Sequence, residues 1–504
     1  MTALLISTVL SLVVANLASG VVQHDFHKVK ELHETPLSKR AGPVFASLQN
    51  EAVLYLVNVT LGHPPQFVQL LLGTATSDTW VTDSSAAYCQ QQACGGLSYD
   101  PAQSTSYNAL QTIFNITYAD GTGSSGVYFT DTFSIGGISL TAVELGLANV
   151  TTIGRGIMGL SFPVEEAICN NPSSCSTYPT ILDQMVSQGK INSHAYSLWL
   201  NDVDASTGSI LFGGVDAAKY HPPLLSLPIE KDDTGSYSNL AVNLTQITVT
   251  QGNVQSVIDP KEPVTVVLDV GSTLTFVPDE LFAQIQPLFN ATYDSAENLY
   301  TAECSLRTND ATVDFHFGDS SGPTINAPFR ELLSPLPDGN SSLCSLGIYP
   351  AGSESSYLFG DTFLRNAYVV YDLDNKLISL ANTIFDSATS NIIAIPAGSA
   401  GASGVAATVT ATAWSTSSLS GTTSSTSSLA VSTIVVGATT SSVTVRGSQT
   451  AVVTTSGGPV STATSTTAAT ASSTSNADRT ESTVDGLLLS VLSSVFVGYF
   501  SGFS

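Results

Sequence analysis

The sequence predicts a mostly all-β chain of two similar lobes, on three observations. Runs of alternating Val, Leu, Ile, Tyr and Thr, broken by Gly, Asn and Asp, fill the chain from about residue 50 to about residue 385, the pattern of half-buried strands. One motif then recurs after about two hundred residues, a sign of internal duplication. Its first copy is Leu70-Leu71-Leu72-Gly73-Thr74-Ala75-Thr76-Ser77-Asp78-Thr79-Trp80-Val81, and its second is Val266-Val267-Leu268-Asp269-Val270-Gly271-Ser272-Thr273-Leu274-Thr275-Phe276-Val277-Pro278. Finally, 504 residues are enough for two such lobes plus extra segments.

Each copy runs an apolar strand into a tight Gly- and hydroxyl-rich turn, and a second apolar strand leaves it. The second copy carries Asp269 where the first carries Gly73. Other stretches fall in a telling order: Leu61-Gly62-His63-Pro64-Pro65-Gln66, Tyr118-Ala119-Asp120-Gly121-Thr122-Gly123, Gly156-Ile157-Met158-Gly159-Leu160, Leu211-Phe212-Gly213-Gly214-Val215-Asp216 and Leu358-Phe359-Gly360-Asp361-Thr362-Phe363-Leu364-Arg365. Together they resemble the pepsin family of aspartic proteases, most closely its fungal, wall-anchored, yapsin-like branch. The resemblance implies two lobes of the six-stranded β-barrel type, 41–235 and 236–385, with a peptide-binding cleft between them.

The resemblance also implies roles for residues. Asp269 is the expected catalytic carboxylate, and Gly73 fills its partner's slot. Tyr118 and Gly121 belong to a flap over the cleft; Thr74, Gly271, Ser272 and Thr273 line its floor. Cys89 and Cys94 match a small-loop disulfide, and Cys304 and Cys344 a second-lobe bridge. Cys169 and Cys175 form a further close pair without a strong family counterpart. An even cysteine count behind a secretory leader favours oxidised pairs over metal ligands, and no metal or cofactor is expected. Asp361 is expected to be structural, and Asp78 to lie on the outgoing strand, away from the water.

Peptide hydrolysis in this family needs two close carboxyl groups that share one water. Like charges that near cannot both ionise, so one acts as base and the other as acid. Gly73 supplies neither. Two further departures cluster there: Ala75 stands where the family has Gly, and Val270 where it has a hydroxyl, while Thr74 is retained. The expectation is a pepsin-type protein with impaired catalysis and a retained peptide-binding cleft. The alternatives are an active acid endopeptidase and a structural display protein of the cell wall.

The flanks set the location. Met1–Gly20 reads as a secretory signal, with an uncleaved membrane anchor as the alternative. Residues 21–40 read as a basic pro-segment ending at Lys39-Arg40, the kind that covers an acidic cleft in the family. Residues 386–476 carry mostly Ser, Thr, Ala, Gly and Val, an extended stalk or plain linker. Asn476 opens a small-residue site, and the apolar tail within 477–504 then fits a lipid (GPI) anchor signal better than a transmembrane helix. Sequons at Asn58, Asn115, Asn149, Asn243, Asn290 and Asn340 agree with secretion. Only 11% of residues are charged and the net charge is −25, which argues against nucleic acid as a partner. A monomer is expected, binding a peptide or protein in the cleft and the wall or membrane through its anchor.

Overall fold

A computed structural model describes residues 20–31, 52–92, 94, 98–119, 121–169, 175–336, 342–352, 357–398 and 401–402. The leader, Lys39-Arg40, Asn340, Asn476 and the anchor tail lie outside these residues, as does the stalk beyond 402.

The duplication is visible in the strand pairing. In the first lobe the strand Gln66–Gly73 runs parallel to Gly156–Gly159, with Gly73 opposite Gly159. The strand that leaves the turn, Trp80–Asp83, meets the same partner antiparallel at Ile157. In the second lobe Val264–Leu268 runs parallel to Tyr357–Phe359, and Thr275–Val277 meets that strand antiparallel at Phe359. Both turns therefore emerge between two strands of a sheet, and the entering strands are buried where they reach the turn. Such burial explains the near-continuous apolar runs in the sequence.

One sheet runs between the two lobes. First-lobe strands belong to one 14-stranded sheet that continues through Ala195–Trp199 into Ala367–Asp372, Leu377–Thr383 and Tyr220–Pro228; the second lobe adds sheets of eight and four strands. The shared sheet forms a floor under the motif. Tyr196 and Tyr371 stack there at 4.9 Å. The Tyr371 hydroxyl donates to Leu268 O at 3.2 Å, and the Tyr196 hydroxyl to Leu160 O at 3.1 Å. Each ring thus pins the backbone beside one turn. In the second lobe Phe315 and Phe317 each pack edge to face on Phe359 and Phe363 around the entering strand, an arrangement worth roughly 0.5–1.5 kcal/mol per pair beyond area burial.

Two expected boundaries shift. The described part of the 21–40 segment is a strand, Val22–Glu31, paired on both sides within the large sheet. It does not lie over the acidic turn. At the other end the folded body continues past 385. Ile392–Ala394 pairs with Gly214–Asp216, and Ile395 and Ala402 are buried. Asp216 holds this strap by accepting from Ser390 Oγ at 2.8 Å and Asn391 N at 2.6 Å. The stalk expected from 386 therefore has a packed first section.

Disulfides join Cys89 to Cys94, Cys169 to Cys175 and Cys304 to Cys344. The last closes 40 residues of sequence separation, worth about 4 kcal/mol in the chain-entropy picture.

Candidate active site

Asp269 sits at the end of its strand, 7% exposed. Its own turn supplies two donors. Gly271 N donates to Oδ1 at 2.9 Å and Ser272 Oγ to Oδ2 at 2.8 Å. The approach is close at Gly271, where a Cβ would stand 3.1 Å from Oδ1. The first lobe supplies three more, all to Oδ1: Ala75 N at 3.2 Å, Thr74 N at 3.3 Å and the Thr74 hydroxyl at 3.4 Å. Each of these partners is a donor, which suits a carboxylate that only accepts.

The cross-lobe bonds follow from what the first turn lacks. Gly271 N lies two residues after Asp269 and caps it. Ala75 N lies two residues after Gly73, finds no carboxylate of its own, and turns to Asp269. Val270 N donates to Thr74 Oγ1 at 3.0 Å, and that hydroxyl donates to Leu268 O at 2.8 Å. Val270 has no hydroxyl to return the favour, so Thr74 N is also free to bond Asp269. One carboxylate thus satisfies amides from both turns.

The slot at Gly73 is tight. A Cβ added there would lie 2.9 Å from Thr76 Cγ2 and 3.0 Å from Ile157 Cγ2. Thr76 corresponds to Ser272 in the other copy, so its extra methyl partly fills the space where a first-lobe acid would start.

No second carboxyl shares a hydrogen bond with Asp269 among the described residues. Asp361 is fully buried and its carboxyl is pushed well up, by desolvation first and partly offset by Arg365. Asp78 is also fully buried. It lies before the outgoing strand rather than on it and turns into the first-lobe interior. Its Oδ1 accepts from the Tyr128 and Tyr178 hydroxyls at 2.7 and 2.8 Å, and its Oδ2 from Ala167 N at 2.5 Å. Burial pushes its carboxyl up, against those three bonds. Glu166 accepts from Tyr178 N at 3.0 Å, and burial raises it to about 9.

The segment expected to form the flap is a hairpin of residues 108–117 and 123–135, closed by Tyr118 N donating to Thr122 O at 2.8 Å. Gly121 at its tip has φ +80, a conformation glycine adopts freely. Trp80 Nε1 donates to the Tyr118 hydroxyl at 2.8 Å, so the ring is anchored to the outgoing strand of the first copy. Thr273 is half-buried, and its carbonyl accepts from Thr362 N at 3.1 Å. Of the sequons, Asn149 and Asn290 are exposed, while Asn58, Asn115 and Asn243 are half-buried on strands.

A family model described as eukaryotic aspartyl protease matches residues 54–383. The chain belongs to that family. A "Probable aspartic-type endopeptidase OPSB" of Arthroderma benhamiae is similar at 38% identity over 389 residues, 74% of this chain and 78% of that protein. "Secreted aspartic protease 8" of Candida albicans is 36% identical over 366 residues, 70% of this chain and 82% of that protein. Among solved structures, the aspartic proteinase from Irpex lacteus aligns with a TM-score of 0.56 at 23% identity, covering 74% of this chain and 100% of that one. That last likeness shows the aspartic proteinase fold alone.

Sequence reasoning missed three features of this aspartyl protease site: the capture of Asp269 by first-lobe amides, the Thr76 methyl in the slot, and the Asp78–Tyr178–Glu166 cluster. Writing the two copies one above the other could have found the first two, since each is a one-sided difference between them.

Proposed function

We propose that this member of the aspartyl protease family is a cell-surface protein that has lost efficient peptide hydrolysis and keeps a peptide-binding cleft. The observation that carries this reading is the bonding of Asp269. Its Oδ1 takes three amide donors, two of them from the lobe that should present a second acid, and Gly73 presents none. A positioned acid or base contributes about 10²–10⁴-fold to a rate, and loss of the water's second anchor adds to that. The flap survives this loss, because a peptide can add to a strand edge through main-chain groups alone. In the same reading a leader and a lipid anchor near Asn476 hold the protein at the membrane or wall, and a glycan on Asn115, three residues from Tyr118, narrows the cleft mouth.

Two observations favour a second reading. The relatives carry endopeptidase and protease names, and the Tyr118–Trp80 anchor of the flap is intact. A cleavage assay with a mixed peptide library at acidic pH separates the two. Turnover that Asp269→Asn abolishes would overturn the impaired reading. Binding of a statine-type peptide separates a working cleft from a folded cap that only displays the stalk; no binding supports the cap.

A further inference from the structure

We propose that Asn290 carries an N-linked glycan and that its first sugars lie in a groove of the second lobe. This is a modification and carbohydrate site apart from Asp269. It needs the secretory route proposed above and is independent of whether the cleft hydrolyses peptides.

The sequon Asn290-Ala291-Thr292 stands apart from two of the others. Asn58 and Asn243 lie on paired strands, and their side-chain oxygens accept from Gln69 Nε2 at 3.0 Å and Thr265 Oγ1 at 2.9 Å. Asn290 instead ends the short helical turn Gln286–Phe289 with φ +49. Asparagine visits this left-handed conformation more readily than most residues. Its N–H donates to Pro287 O at 3.1 Å and closes the turn. Asn290 is exposed, and the strand Thr292–Asp294 is exposed at every position. Both residues that a sequon-reading enzyme needs are therefore on the surface.

Asn290 also borders a groove of about 680 Å³, a volume typical of small-ligand sites. Gln251 forms one wall, and Ser305, Thr308 and Asn309 form the other. Leu288 and Leu306 add apolar edges that pack on the lobe's core. Amides and hydroxyls beside small apolar surfaces suit a sugar, which has hydroxyls on its rim and C–H groups on its faces. Glu303 and Asp310 also line the groove, so it favours a neutral occupant over an anion. The walls are held in place. Gln251 Nε2 donates to Leu288 O at 2.8 Å, and Thr308 Oγ1 to Ser305 O at 2.8 Å. The disulfide from Cys304 to Cys344 ties the second wall to the strand Leu343–Leu346. Sugars on Asn290 need little affinity to fill this groove, because the tether keeps their local concentration high.

In the transfer, Asn290 Nδ2 bonds the anomeric carbon of a lipid-linked oligosaccharide. The bond from that carbon to the pyrophosphate oxygen breaks, the lipid pyrophosphate leaves, and the amide gives up one proton.

The test uses the full chain secreted from a eukaryotic host. Peptide-N-glycosidase in isotope-labelled water marks each modified asparagine, and mass spectrometry should find the label at position 290. On the native protein, release from Asn290 should be at least about 10-fold slower than on the denatured chain. Thr308→Trp fills the groove from an exposed wall position and should bring native release close to the denatured rate. Ser305→Trp fills it a second way, and Lys261→Trp, outside it, should change nothing. Urea midpoints confirm that each variant is folded. An unlabelled Asn290 overturns the proposal, and a chain with no labelled sequon overturns the secretory reading with it. Native release that neither groove variant changes also overturns it, since the sugars would then lie in solvent.

Discussion

The two copies of the motif share strand order, register and the following threonine and aromatic positions, yet they diverge at each position that handles a proton. Asp269 faces Gly73, Gly271 faces Ala75, and Ser272 faces Thr76. Thr74 keeps its hydroxyl and Val270 has none. Five residues after each lead position the contrast reverses: Asp78 is buried among tyrosines where the second copy has Leu274. The second copy holds its carboxylate at the turn, ringed by donors from both turns. The first has Gly73 at that position and carries its carboxyl, Asp78, where water cannot reach. Duplicated geometry therefore persists through backbone pairing, while chemistry depends on a few side chains that the pairing does not protect.

The sharpest way to break the comparison is to make the copies equal. Gly73→Asp with Ala75→Gly, Thr76→Ser and Val270→Thr should raise acid proteolysis about 10²-fold or more over the natural chain, measured with a quenched peptide library. Gly73→Asp alone should fall well short, because its Cβ meets the Thr76 and Ile157 methyls at 2.9 and 3.0 Å. Equal activity of the single and quadruple variants would show that the slot is not as crowded as the geometry says.

Removing the remaining acid tests the other side. In a working pair an acid serves catalysis; here Asp269 also serves as the acceptor for Thr74 N, Ala75 N and Gly271 N. Asp269→Ala should therefore lower stability by about 2–4 kcal/mol, from unmet donors of which water can reach some. Asp269→Asn, which keeps one acceptor oxygen, should lose less than half of that. Urea unfolding of the three proteins checks the order.

The fold was legible because strand alternation, the repeated motif and turn residues all depend on local sequence. The vacancy at Gly73 was legible for the same reason. What the sequence could not give was the destination of groups set free by that vacancy. Thr74 N and Ala75 N could have bonded water or other carbonyls; that both reach Asp269 depends on how closely the lobes approach. Asp78 was misplaced for a related reason. Its partners Tyr128, Ala167 and Tyr178 lie 50 to 100 residues away in sequence, so no local pattern marks the pocket. The strand at 22–31 was masked by composition: its His and Lys residues suggested a charged cover, while Val22 and Phe26 carried the pairing face.

Buried carboxyls in both lobes make stability depend on pH, those of the first lobe together with Asp361 and Glu331 in the second. Glu166 is raised from 4.5 to about 9 and Glu165 from 4.5 to about 7, both by burial first, and Asp78 is raised as well. A raised carboxyl binds its proton more tightly folded than unfolded, so its contribution is complete below pH 4.5 and fades as pH climbs through the folded values. The urea midpoint should fall steadily between about pH 5 and about pH 9. Glu166→Gln should flatten the slope, and an unchanged slope would place the sensitivity elsewhere.

The smallest expected effect concerns the one-sided grip between the turns. Thr74 Oγ1 takes Val270 N and gives to Leu268 O, while position 270 offers nothing in return. Val270→Thr alone would place a second hydroxyl at 270, where it can accept from Thr74 N. By the symmetry of the copies it would donate to Leu72 O. A net hydrogen bond contributes about 0.5–1.5 kcal/mol, but burying a hydroxyl where a methyl packs offsets part of it, so a gain of about 0.5 kcal/mol is expected. The more telling number is the coupling. If Thr74 N leaves Asp269 for the new hydroxyl, Asp269→Ala should become about 1 kcal/mol less damaging in the Val270→Thr background. A double-mutant cycle by urea unfolding reads that difference. A coupling of zero would mean that Thr74 N holds Asp269 because of where the lobes sit, and not because Val270 left it without a partner.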